Sequence, residues 1–374
     1  MFIQQVIVRH VAMMLKTPFK SGVDTISKKV FLVVEVHNDD GTIGYGEGLA
    51  FERPYYTEET VETMTHRLET VLIPAVLHKT IDHPSYVHNL FQPVRRNYMA
   101  KAAIETAVWD LYAQLQKKPL AQLIGGTQSA VEVGVAIGLQ PSEEQLVARI
   151  QRALDEGYRR IKVKITPQHD VELLETIRRH FPDISLMADA NSAYTLDDIE
   201  QLKALDAFNL LMIEQPLAHD DVVDHAALQR HIQTPICLDE SICSLDDMKR
   251  AVKLGSCQIV NIKLARVGGF TEAIRIHDYC EQHGIGVWCG GMLEAGIGRS
   301  HALALASLPN FIYAADIASA DRYWERDIVT PIIASQDAHI NVPTIAGRGF
   351  QIDEAYLEQV TIAKRCIMQL AAYE

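Results

Sequence analysis

From residue 132 onward the chain repeats one pattern. A short apolar run ends in a polar or charged residue, a turn follows, and then apolar positions recur at helical spacing. The runs at 132–138, 160–165, 185–189, 209–214, 236–239, 258–263, 286–288 and 311–316 predict strands. The stretches at 143–156, 171–180, 195–205, 222–231, 244–254, 270–283 and 296–307 predict helices. Strict alternation implies parallel strands joined by helical crossovers, and eight such strands close into a barrel. No helical pattern follows the eighth strand directly. The fold class this predicts is an α/β barrel of the modified (β/α)7β type.

Residues 1–125 lack that rhythm. Runs at 6–15, 30–37 and 42–47 predict strands, and Asn38-Asp39-Asp40-Gly41 is a hairpin turn in which Asp-Gly is the strong signal. A helix is expected over 57–71, with Thr57 as N-cap, and an alanine-rich one over 99–116. This is an α+β capping domain, 1–125, beside a barrel domain, 126–339. The tail at 353–373 reads as helical and is expected to pack back on the cap, completing it from about residue 340 to 374. No Pro-rich linker separates the two units, so they should abut. Loops at 16–25 and 48–56 mix Gly, Pro and aromatics. They are read either as ordinary surface turns or as lids carrying Phe19 and Phe51 onto a ligand.

Composition narrows the partners. A formal net charge of −13 argues against a nucleic-acid face, and no apolar run reaches the length of a membrane span. The N-terminus lacks a charged segment leading into an apolar core, so no secretory signal is expected. Six cysteines with no CxxC pair fit buried free thiols and a reducing cytoplasm. The sequence leaves homo-oligomerisation open.

The chemistry lies in the even spacing of Lys164, Asp189, Glu214, Asp239 and Lys263, at intervals of 25, 25, 25 and 24 residues. Each closes a predicted strand, and residues at the C-terminal ends of barrel strands converge on one mouth. Alternate residues of a barrel strand face inward. In 161–165 the apolar positions share one parity and Lys162 and Lys164 the other. The lysines therefore point in, as do Asn261 and Lys263. Three convergent carboxylates make an all-oxygen site suited to Mg²⁺, and Mn²⁺ would also fit. None of the fifteen histidines ends a predicted barrel strand, which counts against a zinc hydrolase. The rival reading is a structural network of salt bridges in a barrel without chemistry. Two amines flanking a metal suit removal of a proton α to a carboxylate in a small-molecule substrate. A desolvated lysine near another cation has its pKa lowered toward that task.

These residues resemble the enolase superfamily, in which a Lys or His base works with Mg²⁺ on an enediolate. Lys162-Val163-Lys164, Asp189, Glu214, Asp239-Glu240-Ser241 and Lys263 resemble its muconate-lactonizing subgroup. The mandelate-racemase subgroup has a histidine at the end of strand seven, where this chain has Trp288-Cys289-Gly290-Gly291. Met187 to Tyr194 (MADANSAY), Ile213 to Leu217 (IEQPL), Cys289 to Glu294 (CGGMLE) and Tyr323 to Asp327 (YWERD) resemble the o-succinylbenzoate synthase/N-succinylamino acid racemase branch. The resemblance implies Lys164 as acid/base, Lys263 opposite it, and Asp189, Glu214 and Asp239 as metal ligands. It implies Lys162, Asn191, Glu240 and Arg266 in support, and Phe19, Phe51, Gly291, Met292, Leu293 and Ile317 around the substrate. It also implies dehydration on the menaquinone route, with N-succinylamino acid racemisation as the alternative. Muconate cycloisomerisation is a more distant alternative. Dipeptide epimerases carry Asp-x-Asp on strand eight, where this chain reads Asp316-Ile317-Ala318.

Overall fold

The computed structural model describes residues 1–20, 25–138 and 140–368. The cap is an antiparallel sheet in the order Thr361–Ile367, Ile3–Lys20, Thr25–Asn38, Ile43–Gly48. Its second hairpin turns where expected, with Gly41 at φ +86° and Asn38 N–H donating to Thr42 O at 2.9 Å. The apolar run 30–36 does not alternate because both of its faces are covered. Leu32, Val34 and Val36 pack on the cap helices, whereas Phe31 and Val33 join the barrel core. The alanine-rich helix Tyr98–Leu115 lies against the strand Ile43–Gly48. A Cβ at Gly44 or Gly46 would stand 2.1 Å from Ala107 O or 2.0 Å from Ala103 O, so only glycine permits that approach.

Seven parallel strands, from Val135–Ile137 to Gly286–Cys289, curl in sequence order. Residues 311–316 close the ring by single bridges, Phe311 to Val287 and Ala315 to Val133. Inward parity fills the barrel floor with Met187, Met212, Cys237, Ile259 and Trp288. Above that layer the inward positions turn polar and form the mouth.

Several expectations need correction. Among the described residues the tail is a helix only over Glu354–Val360. Residues Thr361–Ile367 form a strand along Ile3–Lys20, pairing Val6 with Ile367 and His10 with Ala363. Otherwise the backbone groups on that side of Ile3–Lys20 would lack sheet partners. The helix expected from Thr57 starts at Val61, because Thr60 and Thr63 form a reciprocal capping box. The predicted first barrel strand is two pieces: Ala130–Glu132 pairs with His339–Asn341, and Val135–Ile137 joins the barrel. The loop expected at 16–25 is partly strand, since Ile3–Lys20 and Thr25–Asn38 continue into it. The side chain of Phe19 lies outside the described residues.

Candidate active site

The register of the barrel strands gathers the site. Lys164 pairs directly with Asp189, and Asp189 with Glu214. Glu214 pairs with Cys237, two residues before Asp239, so Asp239 keeps the inward parity. Asn261 and Lys263 follow on the next strand, with Asn261 paired to Trp288. The near-constant spacing of 25 residues thus works as a ruler: one βα unit carries the chain once around to the adjacent strand at almost the same height.

The carboxylates form an arc with an amine at each end. Lys164 Nζ donates to Asp189 Oδ2 at 2.6 Å and to Asn191 Oδ1 at 2.5 Å. Lys263 Nζ donates to Asp239 Oδ2 at 2.7 Å. Glu214 lies between them, accepting from Asn261 Nδ2 at 2.7 Å and from Lys162 Nζ at 3.3 Å. Arg266, held by the short helix Leu264–Val267, is buried against Asp239 and the carbonyls of Asn261 and Ile242. Gly290 is required beside Lys263, since a Cβ there would stand 2.6 Å from the lysine's Cε.

Charge is dense in this arc. Burial, and then Asp189, push Glu214 up to about 8. Burial acts the same way on Asp189, but Lys164 and Lys162 overcome it and hold that carboxyl below its usual range. Lys263 departs from the lowered pKa expected of a base. Burial lowers it, yet Asp239, Tyr56 and Glu214 outweigh that and raise it well above the ordinary lysine value.

Lys162 is held lower in the barrel. Its Nζ reaches Asp316 Oδ2 at 2.6 Å and Asp189 at 3.4 Å, and sits 4.9 Å from the centre of the Trp288 ring. Arg160 takes the other oxygen of Asp316 at 2.7 Å. Asp316 is therefore already engaged by two cations, a position in which it does not offer a free carboxylate to a substrate ammonium group.

Among the described residues no three His, Cys, Asp or Glu side chains are gathered as a ready metal shell. The oxygens of Asp189 and Asp239 are instead turned to ammonium and guanidinium groups. The donor set nonetheless suits a hard divalent ion. It is all oxygen, burial and then the neighbouring Asp189 raise Glu214, and among the described residues the buried Oε2 of the adjacent Glu240 has no hydrogen-bond partner. The other oxygen of Glu240 accepts from Asn191 Nδ2 at 3.3 Å. If either lysine is to be neutral, another positive charge must stand among these carboxylates.

Sequence reasoning did not single out Tyr56. The loop at 48–56 brings its hydroxyl to within 2.9 Å of Lys263 Nζ and 3.2 Å of Asp239 Oδ1, and Lys263 Nζ lies 4.6 Å from its ring centre. The only signal was the loop's aromatic content. Phe51 of the same loop stacks on Tyr55 at 5.0 Å. Of the residues expected around a substrate, Met292, Leu293 and Ile317 are buried, and Gly291 abuts the carbonyl of Asp316, which a Cβ would approach to 2.5 Å.

Known proteins are similar to this chain over nearly its whole length. An o-succinylbenzoate synthase of Geobacillus kaustophilus is 53% identical over 359 residues, covering 96% of each chain. An N-succinylamino acid racemase of Thermus thermophilus is 45% identical over 351 residues, covering 94% of this chain and 95% of its own. The crystal structure of an enolase-superfamily member from Listeria innocua superposes with a TM-score of 0.96 at 43% identity, covering 99% of this chain and all of that one. Residues 3–125 match the mandelate racemase/muconate lactonizing enzyme N-terminal domain, and residues 145–356 match the enolase C-terminal domain-like family. The chain therefore belongs to the enolase superfamily, with the capping and barrel segments of its mandelate racemase/muconate lactonizing enzyme branch.

Proposed function

We propose that this chain is an o-succinylbenzoate synthase. It would dehydrate 2-succinyl-6-hydroxy-2,4-cyclohexadiene-1-carboxylate to o-succinylbenzoate on the menaquinone route, in the cytoplasm. The observation that carries the reading is the arc itself: three buried carboxylates at one barrel mouth, with Lys164 at one end and Lys263 at the other. The 53% identity to a protein of that name, over 96% of both chains, supports the choice of substrate.

Asp189, Glu214 and Asp239 would hold the metal, Mg²⁺ or Mn²⁺. When bound, it supplies the positive charge that stabilises a doubly charged enediolate and disfavours protonation of a nearby lysine. Neutral Lys164 takes the α-proton, and the C–H pair moves into the carboxylate to give the enediolate. That pair then returns to expel the β-hydroxyl. The hydroxyl leaves as water with the proton from Lys164, on the same face, and the ring becomes aromatic. Lys263 stays protonated on the other face and stabilises the developing charge. Asn191 orients Lys164, and Arg266 and Tyr56 orient Asp239 and Lys263. Phe19, Phe51, Gly291, Met292, Leu293 and Ile317 would surround the parts of the substrate that do not react.

Racemisation of N-succinylamino acids is a second reading of the same site. The placement of amines at both ends of the arc favours it: Lys164 would take the proton from one face and Lys263 deliver one to the other. The experiment is steady-state kinetics of the Mg²⁺-loaded protein on the cyclohexadiene carboxylate and on N-succinylamino acids. Lys164→Ala should abolish both activities with an unchanged circular dichroism spectrum. Turnover by that variant would remove Lys164 from its role. Lys263→Ala should damage racemisation as severely as dehydration, and racemisation surviving it would refute the two-base arrangement.

A further inference from the structure

The cap sheet sends one cation into its seam with the barrel. Lys29, only 2% exposed, donates from Nζ to the carbonyls of Met292 at 2.6 Å and Leu293 at 2.8 Å. From the neighbouring cap strand, Glu47 accepts from the backbone N–H groups of Ala295 at 2.8 Å and Gly298 at 2.7 Å. Within the same turn Glu294 accepts from Met292 N–H at 2.8 Å. Two cap side chains thus hold four backbone groups of the segment that follows barrel strand seven.

That segment has a shape it would not adopt unaided. Leu293 sits at φ +59°, a left-handed conformation that costs a non-glycine residue roughly 1 kcal/mol or more. Its carbonyl and the one before it are the two that Lys29 holds. The ammonium also lies 5.4 Å from the centre of the Phe51 ring, so one charge touches both the loop at 48–56 and the loop after strand seven. Burying an amine is costly, and a methionine of similar length would fill the same space without that cost. What methionine lacks is donors for the two carbonyls. A cavity of about 20 Å³ is lined by Glu47, Lys263, Gly290, Met292, Glu294 and His301, so the seam and the Lys263 side chain share a wall.

We infer that Lys29, with Glu47, is a positioning residue that sets the backbone of Gly291–Leu293 where the non-reacting arm of the substrate is gripped. It governs affinity for that arm and leaves proton transfer at the α-carbon alone. The inference rests on the functional reading above, in which this loop faces the arm.

Two measurements on Mg²⁺-loaded Lys29→Met test it. The first is amide hydrogen exchange by mass spectrometry over 290–298, which should quicken about tenfold, the value of one hydrogen bond to a charged group. Unchanged protection there would overturn the clamp, whatever the chain catalyses. The second is α-proton exchange in D₂O with N-succinylphenylalanine and with N-acetylphenylalanine, which lacks most of the arm. KM for the succinyl compound should rise about tenfold while kcat stays within about threefold and the acetyl compound is unaffected. An equal loss with both compounds, or a fall in kcat at constant KM, would overturn the inference. If Lys29→Met does not fold, Glu47→Gln takes its place, with the same split expected and the same results counting against it. Absence of exchange with either compound in the unsubstituted chain would count against the racemase reading alone. KM and kcat on the cyclohexadiene carboxylate would then replace this measurement, with the same rise in KM expected and a fall in kcat at constant KM counting against the inference. The amide measurement would still decide the clamp.

Discussion

Tyr56 lies against three groups of the site at once: it accepts from Lys263, donates to Asp239, and lies 3.5 Å from an Arg266 nitrogen. Burial and Asp239 raise its pKa, so it stays a neutral donor at all working pH values. Tyr56→Phe keeps the ring over the ammonium and removes only the hydroxyl. Catalysis should fall about ten- to a hundredfold, the cost of one or two hydrogen bonds to charged groups, with the fold unchanged by circular dichroism. A variant as active as the parent would show that the hydroxyl is a bystander. His301 makes a different point. Its Nε2 is buried without a hydrogen-bond partner among the described residues, and burial depresses its pKa to about 4. The unfolded chain takes up this proton near pH 6.5 and the folded chain only near 4. In that window the unfolded state binds more protons, so stability falls as pH falls. The full loss is about 3 kcal/mol. Urea titrations at pH 7 and 4.5 should show a smaller acid loss for His301→Leu than for the unsubstituted chain. Equal losses would mean that the proton binds both states alike.

At the scale of elements, acidic side chains of the cap serve as N-terminal caps for helices across the seam. Glu105, from the helix Tyr98–Leu115, accepts from Phe270 N–H at 2.7 Å and Thr271 N–H at 2.9 Å, where the barrel helix Phe270–Gln282 begins. The indole N–H of Trp109 also donates to it, at 2.9 Å. Gly269, at φ +114°, makes room, since a Cβ there would stand 2.2 Å from Glu105 Oε2. Glu47 does the same for Gly296–Ala306, and Glu59 accepts from Met99 and Ala100 N–H at the start of the cap's own helix. Helix starts carry free donors and partial positive charge, which offset part of the cost of burying a carboxylate there. Glu105→Ala leaves buried donors unmet and should destabilise the chain by about 3 kcal/mol or more. Exposed Glu58→Ala should change stability by less than about 0.5 kcal/mol. Chemical denaturation compares them, and equal midpoints would deny the seam its energetic role.

At the scale of the whole molecule, the proposed metal site is a stability question as well as a catalytic one. A ligand that binds the folded chain alone stabilises it in proportion to the logarithm of one plus its concentration over Kd, about 2.7 kcal/mol at a hundred times Kd. Millimolar Mg²⁺ should therefore raise Tm above that in chelator, and Asp239→Asn or Glu214→Gln should remove the response. An unchanged Tm in the unsubstituted chain would leave the carboxylate arc as a salt-bridge network and nothing more. No described helix is long and apolar enough to cross a membrane, and the six cysteines are free thiols.

Much of this was legible in the order of residues. A βα unit has a nearly constant length, so even spacing placed Lys164, Asp189 and Glu214 on adjacent strands in register, and the two-residue period of a strand pointed them inward. Both rules are local and survive without knowledge of neighbours. The seam obeyed no such rule. Lys29 is 263 residues from Met292, and Tyr56 is 207 from Lys263. The aromatic content of the loop at 48–56 is the one hint of Tyr56, and nothing in the cap's own pattern marks Lys29 as belonging to the barrel mouth. The last strand likewise reads as helix until the open edge of Ile3–Lys20 pairs with it. Local periodicity determined the barrel, the acids and the two amines. Only folding decided which cap residues meet them, because burial and hydrogen bonding between distant segments are settled by packing, not by spacing.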